Sequence, residues 1–260
     1  MTASSLLDFA GHFILVASRV AGIFALTPVF GQRQVLSVLK VCLCIVFAYI
    51  LTPIVPVEYT AETETLYGFI SICLKEVLAG LCFGFVTLIF VSTVVFTGYI
   101  IDFQVGFSIV QVFDLQFNEQ VPLSGQLLNI ILIWLFLITD SHLILIKLMA
   151  DSYNYFGVGA EVFRPELAWF FLDLFVTMLL IAVKIAMPVI AAGLIAEVCF
   201  GIIVRTIPQM NIFVVGVPLK LILGVLIFCL IIPLYTSMTQ VIFDNMFLGI
   251  ENLFKELMSP

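Results

Sequence analysis

An all-α membrane protein is the fold class this sequence predicts, and three observations carry that expectation. Hydrophobic residues make up 63% of the 260 positions and charged residues only 10%, against about 45–50% and about 25% in a soluble domain. Mean hydropathy is +1.27. The apolar residues gather into six long runs separated by short polar segments. We therefore expect a single integral membrane domain over residues 1–260, with about six long, partly kinked apolar helices and a C-terminal amphipathic helix. No water-soluble domain fits beside six spans. The formal net charge of −7 argues against nucleic acid and anionic lipid surfaces as partners.

The first run, 9–30, is interrupted by Arg19 and closed by Pro28. After a turn holding Arg33, the second run, 35–57, contains Lys40 and ends at Pro53 and Pro56. Glu58, Glu62 and Glu64 then mark an aqueous loop. The third run, 66–101, is too long for one span of about 20 residues, so it is tilted, kinked or continuous with the polar-apolar segment after it. Its Gly80 and Gly84 make a GxxxG spacing, with Ala79 alongside, that lets two helix backbones approach. The fourth run is 127–150; a mixed loop over 151–166 carries Asp151, Glu161, Arg164 and Glu166. The fifth, 167–204, is again overlong and broken by Pro188, and the sixth, 210–243, carries Pro218 and Pro233.

In the tail, Phe243, Met246, Phe247, Ile250, Leu253, Phe254 and Leu257 form one helical face. The opposite side is mostly acidic, whereas interfacial membrane helices carry a basic face. Packing against protein is therefore favoured over lying on lipid. Six spans put Arg33 and Arg205 on one side and the acidic loop on the other, and the positive-inside rule makes the arginine side cytoplasmic. The six cysteines lie inside apolar runs without a CxxC pair and read as small buried hydrophobes. The amino terminus has no basic region ahead of its apolar run, so no cleaved signal peptide is expected.

The segment 102–126 fits neither a span nor a solvent loop. Asp102, Gln104, Asp114 and Glu119 alternate there with Phe107, Ile109, Val112, Phe113 and Phe117. Mixed backbone at membrane depth is tolerated only where protein or a water-filled cavity surrounds it. The segment is thus expected to line or close a path through the membrane. Charges also interrupt the runs: Lys75, Glu76, Asp140, Lys147, Asp173, Lys184, Glu197 and Lys220. Each costs about 2.5–3.5 kcal/mol at a helix centre on insertion scales, so as a group they point to partners, water or the membrane edge. Snorkelling of Lys75, Lys147 and Lys220 is the bland alternative.

Catalytic signals are weak. His12 and His142 are not spaced as a metal pair, and no HExxH, GxSxG or phosphate-binding glycine loop occurs. Asp140-Ser141-His142 reads as a turn cluster rather than a proton relay. We expect no enzymatic activity, no metal and no cofactor.

A second polar island, 197–220, holds Arg205, Pro208, Gln209 and Asn211 between two apolar arms. Alone it is a hairpin tip, since Pro208 disfavours helix at Ile207. The stretch from Arg205 to Phe213, continuing through Gly216, Pro218, Lys220 and Gly224, resembles the FliR family of flagellar biosynthetic proteins. Asp102 to Ser108 with Val121-Pro122 is similar to that family's mid-chain signature. Arg19 to Gly22, Pro28 to Gly31, and Ala186-Met187-Pro188 match further positions. The homologous injectisome export proteins share much of this pattern.

The resemblance implies a subunit of the bacterial type III export gate, in the inner membrane at the base of the flagellar basal body. It implies FliP and FliQ as partners in a helical complex, contact with FlhB, and transient passage of unfolded export substrates. Residues 1–166 would be a FliP-like part containing the pore loop 102–126, 167–243 a FliQ-like hairpin, and 244–260 the amphipathic tail. The family's plug maps onto 107–121 after Gly106, with Phe107, Ile109, Val112, Phe113 and Phe117 as apolar seal. Asp102, Gln104, Asp114 and Glu119 would be its polar residues, holding the loop at a wet surface. Arg205, Pro208, Gln209 and Asn211 would make the partner-contact turn. The alternative function is a secondary transporter of a small solute or ion, coupled through Asp140, Asp173, Lys184 or Glu197. Such proteins carry paired broken helices in corresponding halves, and no internal repeat is evident here.

Overall fold

The computed structural model describes residues 3–27, 36–55, 65–107, 122–206 and 212–258. Every regular element among them is a helix: α1 Ala3–Leu26, α2 Ser37–Leu51, α3 Leu66–Val105, α4 Leu123–Ile138, α5 Ser141–Tyr155, α6 Glu166–Thr206 and α7 Ile212–Leu257. The protein is an all-α membrane protein. Four helices are long and apolar enough to cross a bilayer, or five spans if α4 and α5 are one interrupted crossing. The second run supplies only α2, whose 15 residues extend about 22 Å, short of the roughly 30 Å hydrocarbon core.

The overlong third run is one continuous helix of 40 residues that reaches into the central segment. Pro188 does not break the fifth run, because α6 continues through it, as α7 does through Pro218 and Pro233. Neighbouring helices and local adjustments let membrane helices absorb a missing N–H. The break falls instead in the fourth run, between α4 and α5. There Asp140 takes a left-handed φ of 56°, which aspartate tolerates better than most residues. The hydroxyl of Thr139 meanwhile donates back to the Leu135 carbonyl.

The chain forms two compact units. The first comprises Met1–Phe90, Asp140–Phe175 and Asp244–Pro260; the second comprises Val91–Thr139 and Val176–Phe243. Helices α3, α6 and α7 each give one stretch to either unit, so the units do not follow the sub-regions 1–166, 167–243 and 244–260.

In the first unit, α1 and α3 meet through small residues. A methyl on Gly22 would lie 2.5 Å from the Val77 carbonyl, and one on Gly80 would strike the Arg19 carbonyl. Gly84 faces Ile23 and Leu26 one turn further on. The GxxxG spacing thus brings two backbones together. The amphipathic tail is the last part of α7, not a separate helix, and it packs on protein. Ile250, Leu253, Phe254 and Leu257 are buried. Phe254 stacks on Phe83 and meets Tyr155 and Phe156, and the Val162 N–H donates to the Leu257 carbonyl.

In the second unit, α3 and α4 touch backbone to backbone, since a methyl on Gly98 would strike Gly125. Tyr235 of α7, fully buried, donates its hydroxyl proton to the Leu128 carbonyl at 3.0 Å. The six cysteines are free, and Cys42, Cys199 and Cys229 are exposed rather than buried.

Candidate functional site

The last turns of α3 build the neck of the central segment. Gly98 removes the side chain that would hold α4 away. One turn later Asp102, only 1% exposed, reaches the start of α4. Its two carboxylate oxygens accept the Leu123 N–H at 2.6 Å and the Ser124 N–H at 3.1 Å. Helix starts leave such donors unpaired and carry partial positive charge. Asp102 satisfies both needs at once, from a helix that precedes α4 in the chain. It therefore does not hold a loop at a wet surface: it is a buried cap inside α3. Gly106 then turns the chain with a φ of 95°, and the described structure resumes at Pro122. One carboxylate thus joins the end of α3 to the start of α4.

Gln104 and Val105 complete the neck. A methyl on Gly193 of α6 would meet the Gln104 side chain, and one on Gly224 of α7 would meet Val105. The two glycines let α6 and α7 close on the end of α3. Gln104, Val105, Gly193, Gly224 and Lys220 line a cavity of about 10 Å³, roughly one water in size. The Gln104 amide nitrogen that faces this region has no hydrogen-bond partner among the described residues. Lys220 bridges to Glu197 at 2.7 Å on a more open surface.

Of the seal, Phe107 is half-buried; Ile109, Val112, Phe113 and Phe117 lie outside the described residues, as do Asp114 and Glu119. Arg205 sits exposed in the last turn of α6, while Pro208, Gln209 and Asn211 also lie outside. Asp140, Asp173 and Lys184 are exposed and Lys75 is half-buried.

Glu76 is different. It is fully buried in the first unit against Arg19, itself 1% exposed. The Arg19 Nε and Nη2 donate to its two oxygens at 2.5 and 2.9 Å. The Gly159 N–H adds a third bond to Glu76 at 2.8 Å. Arg19 Nη1 donates to the Ser152 hydroxyl and the Phe156 carbonyl, and its plane lies 4.1 Å from the Tyr153 ring centre and 4.3 Å from that of Phe156. In the sequence, Arg19 stands out as an interruption and as part of the Arg19–Gly22 family match, and Glu161, buried beside this pair, only as a loop residue. The i, i+3 spacing of Arg19 and Gly22, set against Glu76 and Gly80 at i, i+4, was the available signal.

The model of the bacterial export proteins, family 1, matches residues 10–246. The flagellar biosynthetic protein FliR of Bacillus subtilis (strain 168) is 33% identical over 221 residues, covering 84% of this chain and 85% of that protein. The chain belongs to this family. FliR of Escherichia coli (strain K12) is 24% identical over 259 residues, 99% of this chain and 98% of its own. FliR of Aquifex aeolicus (strain VF5) is 25% identical over 256 residues, covering 97% of both. As a FliR-family member, the protein is a component of the flagellar export apparatus. The neck residues Asp102 and Pro122, and the charge pair at Arg19 and Glu76, fall within the matched region.

Proposed function

We propose that this chain is a non-enzymatic subunit of the type III protein export gate, forming part of the channel for unfolded flagellar proteins in the bacterial inner membrane. The observation that carries the reading is an excess of apolar helix. Helices α3, α6 and α7 have 40, 41 and 46 residues, about 60–70 Å of helix each against a hydrocarbon core of roughly 30 Å. Each contains an 18-residue window of mean hydropathy 2.4, and only 17% of the α7 window is buried. Lipid covers only about half of such lengths, and apolar surface of that extent marks a site of protein association. Neighbouring subunits are the natural cover, and the family suggests FliP and FliQ in a helical complex, with FlhB alongside.

The central segment is the plug in this reading. Residues 107–121 close the lumen with Phe107, Ile109, Val112, Phe113 and Phe117, and the Asp102 cap keeps the two ends of that loop together. Arg205, Pro208, Gln209 and Asn211 serve the cytoplasmic contact. The sub-regions 1–166, 167–243 and 244–260 then act as FliP-like part, FliQ-like hairpin and tail.

Two measurements test it. The complex that co-purifies in mild detergent should be a large assembly with one copy of this chain among several small membrane proteins; a stable monomer that transports a solute alone overturns the gate. Deleting 108–121 should raise membrane ion leakage; unchanged leakage removes the plug role while leaving the assembly intact.

A further inference from the structure

Glu161 belongs to the segment joining α5 to α6, polar in sequence and outside the helices, yet it is 3% exposed. Among the described residues no other residue donates a hydrogen bond to either carboxylate oxygen, and its own backbone N–H is the one donor that bears on them. A buried ion in that state is costly unless something balances it. The groups that bear on it come from each element around the segment. Arg19 comes from α1, Lys75 and Glu76 from α3, and Tyr153 from α5. Helix α7 meets the segment through the Leu257 carbonyl, which accepts the Val162 N–H.

None of these relieves it. Arg19 is committed, with Nε and Nη2 on Glu76 and Nη1 shared between Ser152 and Phe156. Glu76 is negative, and Lys75 is only half-buried at the margin. With Glu161 ionised, the sealed cluster holds two carboxylates against one guanidinium. One added positive charge neutralises it, and a proton needs no cavity and no further ligands.

We propose that the Arg19–Glu76–Glu161 cluster is a proton-binding site, which takes up a single proton on Glu161 and loosens the segment 156–165 when that proton leaves. The proton transfers between water and one Glu161 oxygen, with no bond broken but the O–H itself. Gly159 couples the site to the backbone, because its N–H holds Glu76 and its φ of 77° shapes the segment. Burial, and next the negative charge of Glu76, push the Glu161 carboxyl up to about 7, against its own backbone N–H, Arg19 and Lys75. The site therefore changes charge near neutral pH, where an ordinary glutamate does not.

The test is infrared difference spectroscopy of the full chain in its native complex, in the carboxylic-acid carbonyl region, between pH 6 and pH 8. The protonated fraction should fall roughly tenfold over that interval for a group titrating near 7. Glu161→Gln should abolish that change. Glu76→Gln, which removes the repulsion and frees Arg19, should move it to lower pH. Should Glu161→Gln fail to assemble, hydrogen exchange of the wild-type Gly159 amide, corrected for intrinsic rate, should rise by a similar factor over the same interval. A band change that survives Glu161→Gln, or a wild-type midpoint near that of an ordinary glutamate, overturns the proposal. So does a band that responds to sodium or potassium at fixed pH, which would make it an alkali-cation site.

Discussion

Two carboxylates on the same helix are both buried, and they are stabilised in different ways. Glu76, in the first unit, faces a full opposite charge in a bidentate pair, with a backbone N–H as supplement. Asp102, in the second unit, faces no cation among the described residues and rests on the two N–H groups that open α4. A guanidinium and a helix start both favour an anion, but one is a whole charge and the other about half of one. The first arrangement makes each partner depend on the other: lose one, and a bare charge stays inside. The second leaves only unpaired dipoles behind. The larger penalty should therefore sit at Arg19 and Glu76.

Replacing Arg19 by Met should have the largest effect of any single change. It strands Glu76 and Glu161 together in a sealed site, and removing one member of a buried pair costs about 3–5 kcal/mol. Thermal unfolding in detergent should show a large loss, and the double change Arg19→Met with Glu76→Met should recover much of it. A double variant as unstable as the single would mean that packing around Arg19, through Tyr153 and Phe156, outweighs its charge.

The same unit should carry a pH dependence that reaches up to neutral pH. Below pH about 4.5 Glu161 is protonated in folded and unfolded chains alike, and its contribution is fully present. Between there and about 7 the unfolded chain has released its proton while the folded one retains it. Stability therefore falls as pH rises through that window and levels off above it. A rise from 4.5 to about 7 corresponds to about 3 kcal/mol, and Glu161→Gln should flatten the profile.

Asp102→Ala ranks next. It leaves the Leu123 and Ser124 N–H groups without an acceptor, for a cost of about 1–3 kcal/mol, while Asp102→Asn keeps an acceptor oxygen and costs less. Hydrogen exchange at those two amides should accelerate in the order wild type, Asn, Ala. Equal exchange in all three would show that α4 starts without help from α3.

The two regions also differed in how far the sequence disclosed them. Apolar run length was enough for the helices, because burial and membrane contact both select the same side chains. Asp102 was visible as an anomaly in the central segment, but its partners are backbone N–H groups, which no side-chain pattern reveals. Pro188 misled for a physical reason, since a proline that breaks a soluble helix is absorbed in α6. The interruption at Thr139 and Asp140 showed as the Asp140-Ser141-His142 turn cluster, but apolar residues flank it so closely on both sides that 127–150 still read as one run. Glu161 was the least legible: in a short loop a glutamate reads as solvated, and only the packing of α1, α3, α5 and the end of α7 reveals that it is not.

The smallest effect should come from the other ion pair. Lys220 and Glu197 bridge at 2.7 Å, as close as a strong pair comes, but their side chains are 24% and 50% exposed. Exposed pairs contribute about 0–1 kcal/mol, because solvent screens them and ordering two long side chains costs entropy. Lys220→Gln should therefore barely move the unfolding temperature of the isolated chain, whereas Arg19→Met moves it far. Inside the proposed assembly that contrast should narrow. If neighbouring subunits cover this stretch of α7, the pair loses its water and Lys220→Gln strands Glu197 much as Arg19→Met strands Glu76. The variant should then weaken the detergent stability of the assembled complex more than that of the chain alone. An equal, small effect in both would place this end of α7 at an uncovered surface.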